Sequence, residues 1–126
     1  MRTEQGGLRI LYNFCDASDM VFRVAVTDLG NTRAKISDDL VLWELSADTP
    51  QHLSEAETGE VPNGYKNTVA LNRDFDGLLL AARIVVTGLP QGEGMTFSWD
   101  DVRAGDVLVG KKHMSVEEFR KKQACD

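Results

Sequence analysis

Aspartates recur at the turn-like breaks of this 126-residue chain, and they are its clearest candidates for chemistry. Eight of them stand in four such breaks: Asp16, Asp19, Asp38, Asp39, Asp74, Asp76, Asp100 and Asp101. Carboxylate oxygens that converge from several loops are what Ca²⁺ requires, usually about six to eight ligands in all. Calcium binding is therefore one hypothesis, although aspartate also favours turns because it hydrogen-bonds its own backbone.

One of these breaks matches part of a calcium-binding pattern. Asn72-x-Asp74-x-Asp76-Gly77 places oxygen ligands at alternate positions before a glycine, as in the first half of a helix-loop-helix calcium loop. The second half fails, because the twelfth position carries Arg83 instead of the expected glutamate. The predicted metal ligands come from two breaks: Asn72, Asp74, Asp76, Asp100 and Asp101.

Strand direction decides which aspartates can meet. If every pair of neighbouring strands is antiparallel, alternate turns lie at the same end of the domain, and all eight aspartates share one rim. That arrangement requires a true turn at Asp38-Asp39. If those two residues form only a bulge, Asp16 and Asp19 lie at the end opposite the other two breaks.

Three aromatic residues are candidates for ligand binding. Trp43, Tyr65 and Trp99 could line a groove for a sugar or a peptide, since their rings offer large apolar faces with one polar atom. Packing in the core is the alternative, because each tryptophan shares its strand with aliphatic residues.

Catalytic patterns are scarce. The sequence has no Gly-x-Ser-x-Gly, Gly-x-Gly-x-x-Gly or phosphate-cradling Gly-Lys-Ser/Thr segment. Cys15 could act as a nucleophile with His52 or His113, but the neighbouring Asp16 disfavours a thiolate. The sequence therefore leans against an enzyme without deciding the question.

Two cysteines and two histidines, all far apart, are too few for a zinc site. Cys15 and Cys125 are expected to be free thiols, with a disulfide between them as the alternative in an oxidising compartment. The amino-terminal segment does not have the pattern of a secretory signal, and no stretch approaches the ~20 apolar residues of a membrane span. We expect a cytoplasmic protein and leave an extracellular location open.

The element that should position these residues is a strand over Leu78–Val86. Its alternate residues Leu80, Ala82, Ile84 and Val86 form an apolar face, and its β-branched residues favour a pleated sheet over a helix. A strand buried on one face needs neighbours, so we expect the other strands to pack around it.

Similar alternation predicts further strands over Leu8–Cys15, Val21–Thr27 with Phe22 inward, Thr32–Ser37, Leu40–Ser46, Tyr65–Asn72, Met95–Trp99 and Val107–Val109. Residues 47–64 are predicted to be a long loop with a helical turn over residues 53–57, and residues 89–94 a turn. Ser115-Val-Glu-Glu118 is a capping box that predicts a short helix, docked by Met114 and Phe119.

These elements predict an all-β fold, an antiparallel β-sandwich or open barrel of seven to eight strands with one short C-terminal helix. We expect a single domain over residues 1–126, with the β core at 7–110 and a basic tail with the helix at 111–126. The sequence predicts none of the crossover helices that a parallel α/β sheet needs, which argues against such a sheet.

Charge limits the partners. A net charge of −6 argues against nucleic acid, because a phosphate-binding surface needs clustered lysine and arginine. Residues 36–65 carry seven acids and no lysine or arginine, so this acidic region could meet a basic partner, although a solvated face would look the same.

Two functions from different classes follow. The first is a non-catalytic protein-interaction or structural module with acidic loops, which binds a protein partner or copies of itself. The second is a calcium-dependent module that binds a carbohydrate or an anionic surface, with Ca²⁺ as its one cofactor. A small enzyme of unknown class is a distant third.

Overall fold

The computed structural model describes residues 1–14, 16, 18–29, 41–71, 73–87 and 89–122, and most of them lie in antiparallel β-sheets. The strands are β1 (Arg9–Leu11), β2 (Val21–Asp28), β3 (Val41–Gln51), β4 (Glu55–Glu57), β5 (Tyr65–Val69), β6 (Leu79–Val86), β7 (Leu89–Ser98), β8 (Val107–Val109) and β9 (Lys112–Met114). A 3₁₀ turn at Trp99–Asp101 connects β7 to the segment before β8, and the helix α1 spans Val116–Lys121. The expected all-β class with one short C-terminal helix is confirmed.

The main layer is a five-stranded sheet in the order β5-β3-β2-β6-β7. The β6 strand lies between β2 and β7, and its alternation is as predicted, with Leu80, Ile84 and Val86 buried and Arg83 exposed. A strand that is paired on both sides exposes only its two faces, so the apolar face defines the inner side of the sheet.

The second layer covers this inner side. It consists of the two-stranded sheets β1–β4 and β8–β9 together with α1. Leu8 and Tyr12 beside β1, Ala56 in β4 and Leu108 in β8 belong to the same buried cluster as the inner residues of the main sheet. The two layers are broadly sandwich-like.

The prediction that Phe22 faces inward is wrong. The pairing of β2 with both neighbours shifts between Val21 and Arg23, so Phe22 has no cross-strand partner there. Val21 takes the fully buried position, and Phe22 is 45% exposed. The bulge breaks the alternation at Phe22, while Val24 and Val26 beyond it are buried, and period-two counting does not detect such a break.

The turn predicted over residues 89–94 is also wrong. This segment is the first half of β7, and the pairing with β6 shifts between Ile84 and Val86. Gly92 lies in the irregular stretch with φ of 75°, where a Cβ atom would come within 2.6 Å of the Ile84 carbonyl oxygen. Pro90 and Gly92, which suggested a turn, instead lie in a bulge of an edge strand.

Two further segments differ from expectation. The helical turn predicted over residues 53–57 is wrong, because Glu55–Glu57 pairs with β1. The expected tail at 111–126 contains a strand, β9, paired with β8. The predicted Thr32–Ser37 strand and the Asp38-Asp39 turn lie outside the described residues.

Candidate functional site

An apolar cleft with a volume of about 250 Å³ lies between the inner face of β6 and β7 and the covering layer. Its lining includes side chains from both layers: Ile10, Ala82, Met95, Phe97, Leu108 and Phe119. Most of these side chains are themselves buried or half-buried, so the cleft is a gap in the core that opens to solvent.

The cleft exists because one inner position of β6 carries a small side chain. Ala82 pairs with Val26 on one side and Met95 on the other, between the larger inner residues Leu80 and Ile84. A methyl group at this position leaves space that a leucine or isoleucine would fill.

The C-terminal helix closes one side of the cleft. Its Phe119 lines the cleft, and the Asn13 side-chain amide donates to the Phe119 carbonyl at 2.7 Å. The Arg120 guanidinium donates to the carbonyls of Tyr12 at 2.9 Å and Ser54 at 3.2 Å. The helix begins as predicted, with the Ser115 hydroxyl accepting from the Glu118 N–H at 3.1 Å.

Two polar side chains mark another part of the cleft. Glu93 pairs with Ile84 across the sheet, which places Glu93 on the inner face of β7, and Tyr12 lines the cleft from the covering layer. Burial raises the pKa of the Tyr12 hydroxyl, and the nearby carboxylates of Glu93 and Asp19 raise it further. The hydroxyl therefore stays protonated at neutral pH and can donate or accept a hydrogen bond.

Arg9 also borders the cleft, but its charge is engaged elsewhere. Its guanidinium donates to Glu57 in β4, with the Nε atom 3.0 Å from Oε1. Glu93 is thus the carboxylate that lines the cleft without a salt bridge to a cation in the part of the chain that the structure describes.

The predicted metal ligands are partly brought together. The turn that contains Asp74 and Asp76 packs against the 3₁₀ turn with Asp100 and Asp101, because the Phe75 and Trp99 rings lie 4.9 Å apart. Asn72 lies outside the described residues. Among the residues with described positions, no three histidine, cysteine, aspartate or glutamate side chains are arranged to hold a metal ion.

Asp16 and Asp19 lie at the opposite end of the sheet. They precede β2, whose first residue Val21 pairs with the last residue of β6, Val86. The turn with Asp74 precedes the start of β6. One rim with all eight aspartates is therefore not formed, and the calcium site stays a prediction that rests on residues 72–76 and 100–101.

The three aromatic candidates are core residues. Trp43 is 1% exposed, Trp99 2% and Tyr65 7%, and none of them lines the cleft. The Tyr65 hydroxyl donates to the Val21 carbonyl at 2.7 Å, so it joins β5 to β2 across β3. Packing in the core was the alternative to ligand binding for these residues, and their burial agrees with that alternative. A role of the three residues in ligand binding stays a prediction.

Most acids of the 36–65 region that the structure describes meet cations of the same chain. The ion pairs are Glu44 with Arg23, Asp48 with Lys66, Glu55 with Arg120 and Glu57 with Arg9. Because these charges are compensated within the chain, they offer little net attraction to a basic partner. Binding of a basic partner by this region stays a prediction.

Sequence reasoning missed the cleft. The shared face of Leu8, Ile10 and Tyr12 is visible in the sequence, and so is a small residue at position 82. Glu93 was hidden in the supposed turn, and nothing in the sequence signals that Asn13 and Arg120 hold the helix.

No protein-family model matches this chain, and no match was found among curated proteins or solved structures. No helix in the described ranges is long and apolar enough to cross a membrane. The geometry of the cleft is therefore the basis for inferring a function.

Proposed function

We propose that this chain is a non-catalytic binding module that takes a small apolar ligand in the cleft. The observation that carries this proposal is the cleft itself, a mostly apolar space lined from both layers, with four polar side chains in its lining, Arg9, Tyr12, Asn13 and Glu93. Small-molecule sites commonly have this form, a concave apolar surface with a few placed polar groups.

The volume sets the size of the ligand. An apolar cavity of about 150 Å³ holds benzene, so about 250 Å³ suits a ligand of about ten non-hydrogen atoms. Burying about 200 Å² of apolar ligand surface is worth about 5 kcal/mol, before the entropy cost of association. Because that cost subtracts from the gain, the expected dissociation constant is about millimolar or higher.

The residue types in the cleft support binding rather than covalent catalysis. No serine, cysteine or histidine is among the described residues that line it. Nucleophilic catalysis needs such a side chain beside a general base.

The test uses 2-phenylethanol as a neutral probe and a pair of alanine variants in β6. Ala82→Leu fills the cleft, whereas Ala81→Leu adds the same atoms to the other face of the same strand. We expect saturable binding by calorimetry to the wild type and to Ala81→Leu, and at least tenfold weaker binding to Ala82→Leu. Equal binding to all three proteins, or no binding to the wild type, would contradict the proposal.

Interaction with a protein partner or a second copy, as predicted from the sequence, is the second candidate. The observation that favours it is the exposure of Met20 and Phe22 at the start of β2, 38% and 45%. Sedimentation velocity over a range of concentrations tests self-association: a concentration-dependent dimer that Phe22→Ser abolishes would support it, and a monomer throughout would count against it.

A further inference from the structure

We propose that the cleft selects a small amine, with its apolar body among the aliphatic and aromatic side chains and its ammonium group beside the Glu93 carboxylate and the Tyr12 hydroxyl. This inference rests on the proposed function, and it specifies the chemical class of the ligand. It excludes a purely hydrocarbon ligand and a carboxylic acid as the preferred occupants.

Glu93 supplies the carboxylate that would bind the ammonium group. The Glu93 side chain is exposed to solvent, yet it lines the cleft from the inner face of β7. Glu93 pairs with the buried Ile84 and borders the same cleft as Ala82 and Met95. The Tyr12 hydroxyl hydrogen-bonds this carboxylate, and a cation bound in the cleft would add the salt bridge that no cation among the described residues supplies.

Tyr12 supplies a second acceptor for the ammonium group. Its ring is buried and lines the cleft, and its hydroxyl lies close enough to Glu93 for the negative charge of that carboxylate to raise the pKa of Tyr12. A hydroxyl and a carboxylate together offer two acceptor groups to an ammonium group, which has three N–H donors and no acceptor. The combination favours a donor-rich cation over an anion.

The neighbouring cations do not cancel this preference. The guanidinium of Arg9 is bound by Glu57, and that of Arg120 by backbone carbonyls, with the Glu55 carboxylate 3.8 Å away. At the Tyr12 hydroxyl itself, the charges that act most strongly are the carboxylates of Glu93 and Asp19. The local field at this part of the cleft is therefore negative.

The first experiment compares three probes of nearly equal size by calorimetry at neutral pH and low salt. We expect 2-phenylethylamine to bind the wild type at least tenfold more tightly than 2-phenylethanol, and phenylacetate to bind most weakly. Equal affinity for the amine and the alcohol would overturn the inference and leave the proposed function intact. Binding of none of the three would contradict both.

The second experiment assigns the preference to its residue. Glu93→Gln should remove the advantage of the amine over the alcohol and leave binding of the alcohol unchanged, whereas Glu60→Gln, an exposed residue outside the cleft lining, should keep the advantage. Tyr12→Phe removes one acceptor and should reduce the advantage in part. An amine advantage that persists in Glu93→Gln would contradict the proposed position of the ammonium group.

Discussion

The side-chain amide of Asn13 donates to the backbone carbonyl of Phe119 at 2.7 Å, so a residue just after β1 holds the end of the C-terminal helix. The helix has only six residues and is too short to persist alone in water. Its position over the cleft therefore depends on this contact, on the contacts of Arg120 and on the packing of Phe119.

Asn13→Ala should weaken this attachment. We expect the free energy of unfolding to fall by about 1 kcal/mol, the usual net contribution of one hydrogen bond, as measured by urea denaturation. Asn63→Ala, at an exposed turn, is the matched control and should change stability much less. Equal effects of the two substitutions would mean that the Asn13 contact does not hold the helix.

The inner face of β6 should dominate the stability of the main sheet. Ile84→Ala removes a buried side chain and should cost about 2–5 kcal/mol, whereas Arg83→Ala, on the exposed outer face, should cost less than about 1 kcal/mol. Urea denaturation of both variants checks this assignment. Similar losses at the two positions would show that the faces of β6 are assigned wrongly.

Glu44 on the outer face should make stability depend on pH. Burial alone would raise its pKa, but hydrogen bonds from Thr68 at 2.7 Å and Arg23 at 2.8 Å, with the Ser46 hydroxyl, hold the pKa below its ordinary value. The folded state therefore favours the carboxylate. This stabilisation is complete above the ordinary glutamate pKa of about 4.3 and is lost as the pH falls through the lower folded-state pKa.

Glu44→Gln should accordingly lower stability at pH 7 by about 1–2 kcal/mol, and the difference from the wild type should shrink as the pH falls below about 4. Urea denaturation between pH 3 and pH 7 measures both effects. The exposed Glu117→Gln serves as the control. A difference between the wild type and Glu44→Gln that stays constant over this range would refute the linkage.

The calcium hypothesis makes a separate prediction. If residues 72–76 and 100–101 bind Ca²⁺, adding Ca²⁺ should raise the melting temperature, and at one hundred times the dissociation constant the gain is about 2.7 kcal/mol. Replacing Asp74 and Asp76 by asparagine should abolish this gain and leave the chelated protein as stable as before. A melting temperature of the wild type that is the same with Ca²⁺ and with chelator would remove the hypothesis.

Periodicity predicted the regular part of this fold and missed its irregularities. The apolar alternation in β6 and the capping residues at Ser115 act locally, so they are visible in the sequence. The bulges at Phe22 and Gly92 depend on how neighbouring strands pair, which local counting does not include. The Gly-rich start of β7 consequently suggested a turn.

The candidate site was less accessible to prediction, because it is a space between layers. Ala82 could be assigned to the inner face from the sequence, but only the packing of β1, β8 and α1 leaves a gap beside it. Glu93 and Tyr12 are 81 positions apart, and no spacing rule brings them together. Predicting a site that forms between layers in this way requires the tertiary structure.

The central claim is that the cleft binds a small apolar group, and methionine methyl resonances test it most directly. Met95 lines the cleft, whereas Met20 is exposed at the start of β2 and does not line it. In a ¹H–¹³C spectrum of methyl-labelled protein titrated with 2-phenylethanol, we expect the Met95 signal to shift and saturate while the Met20 signal stays in place. A Met95 signal that does not move, or that moves in step with Met20 without saturation, would contradict the account.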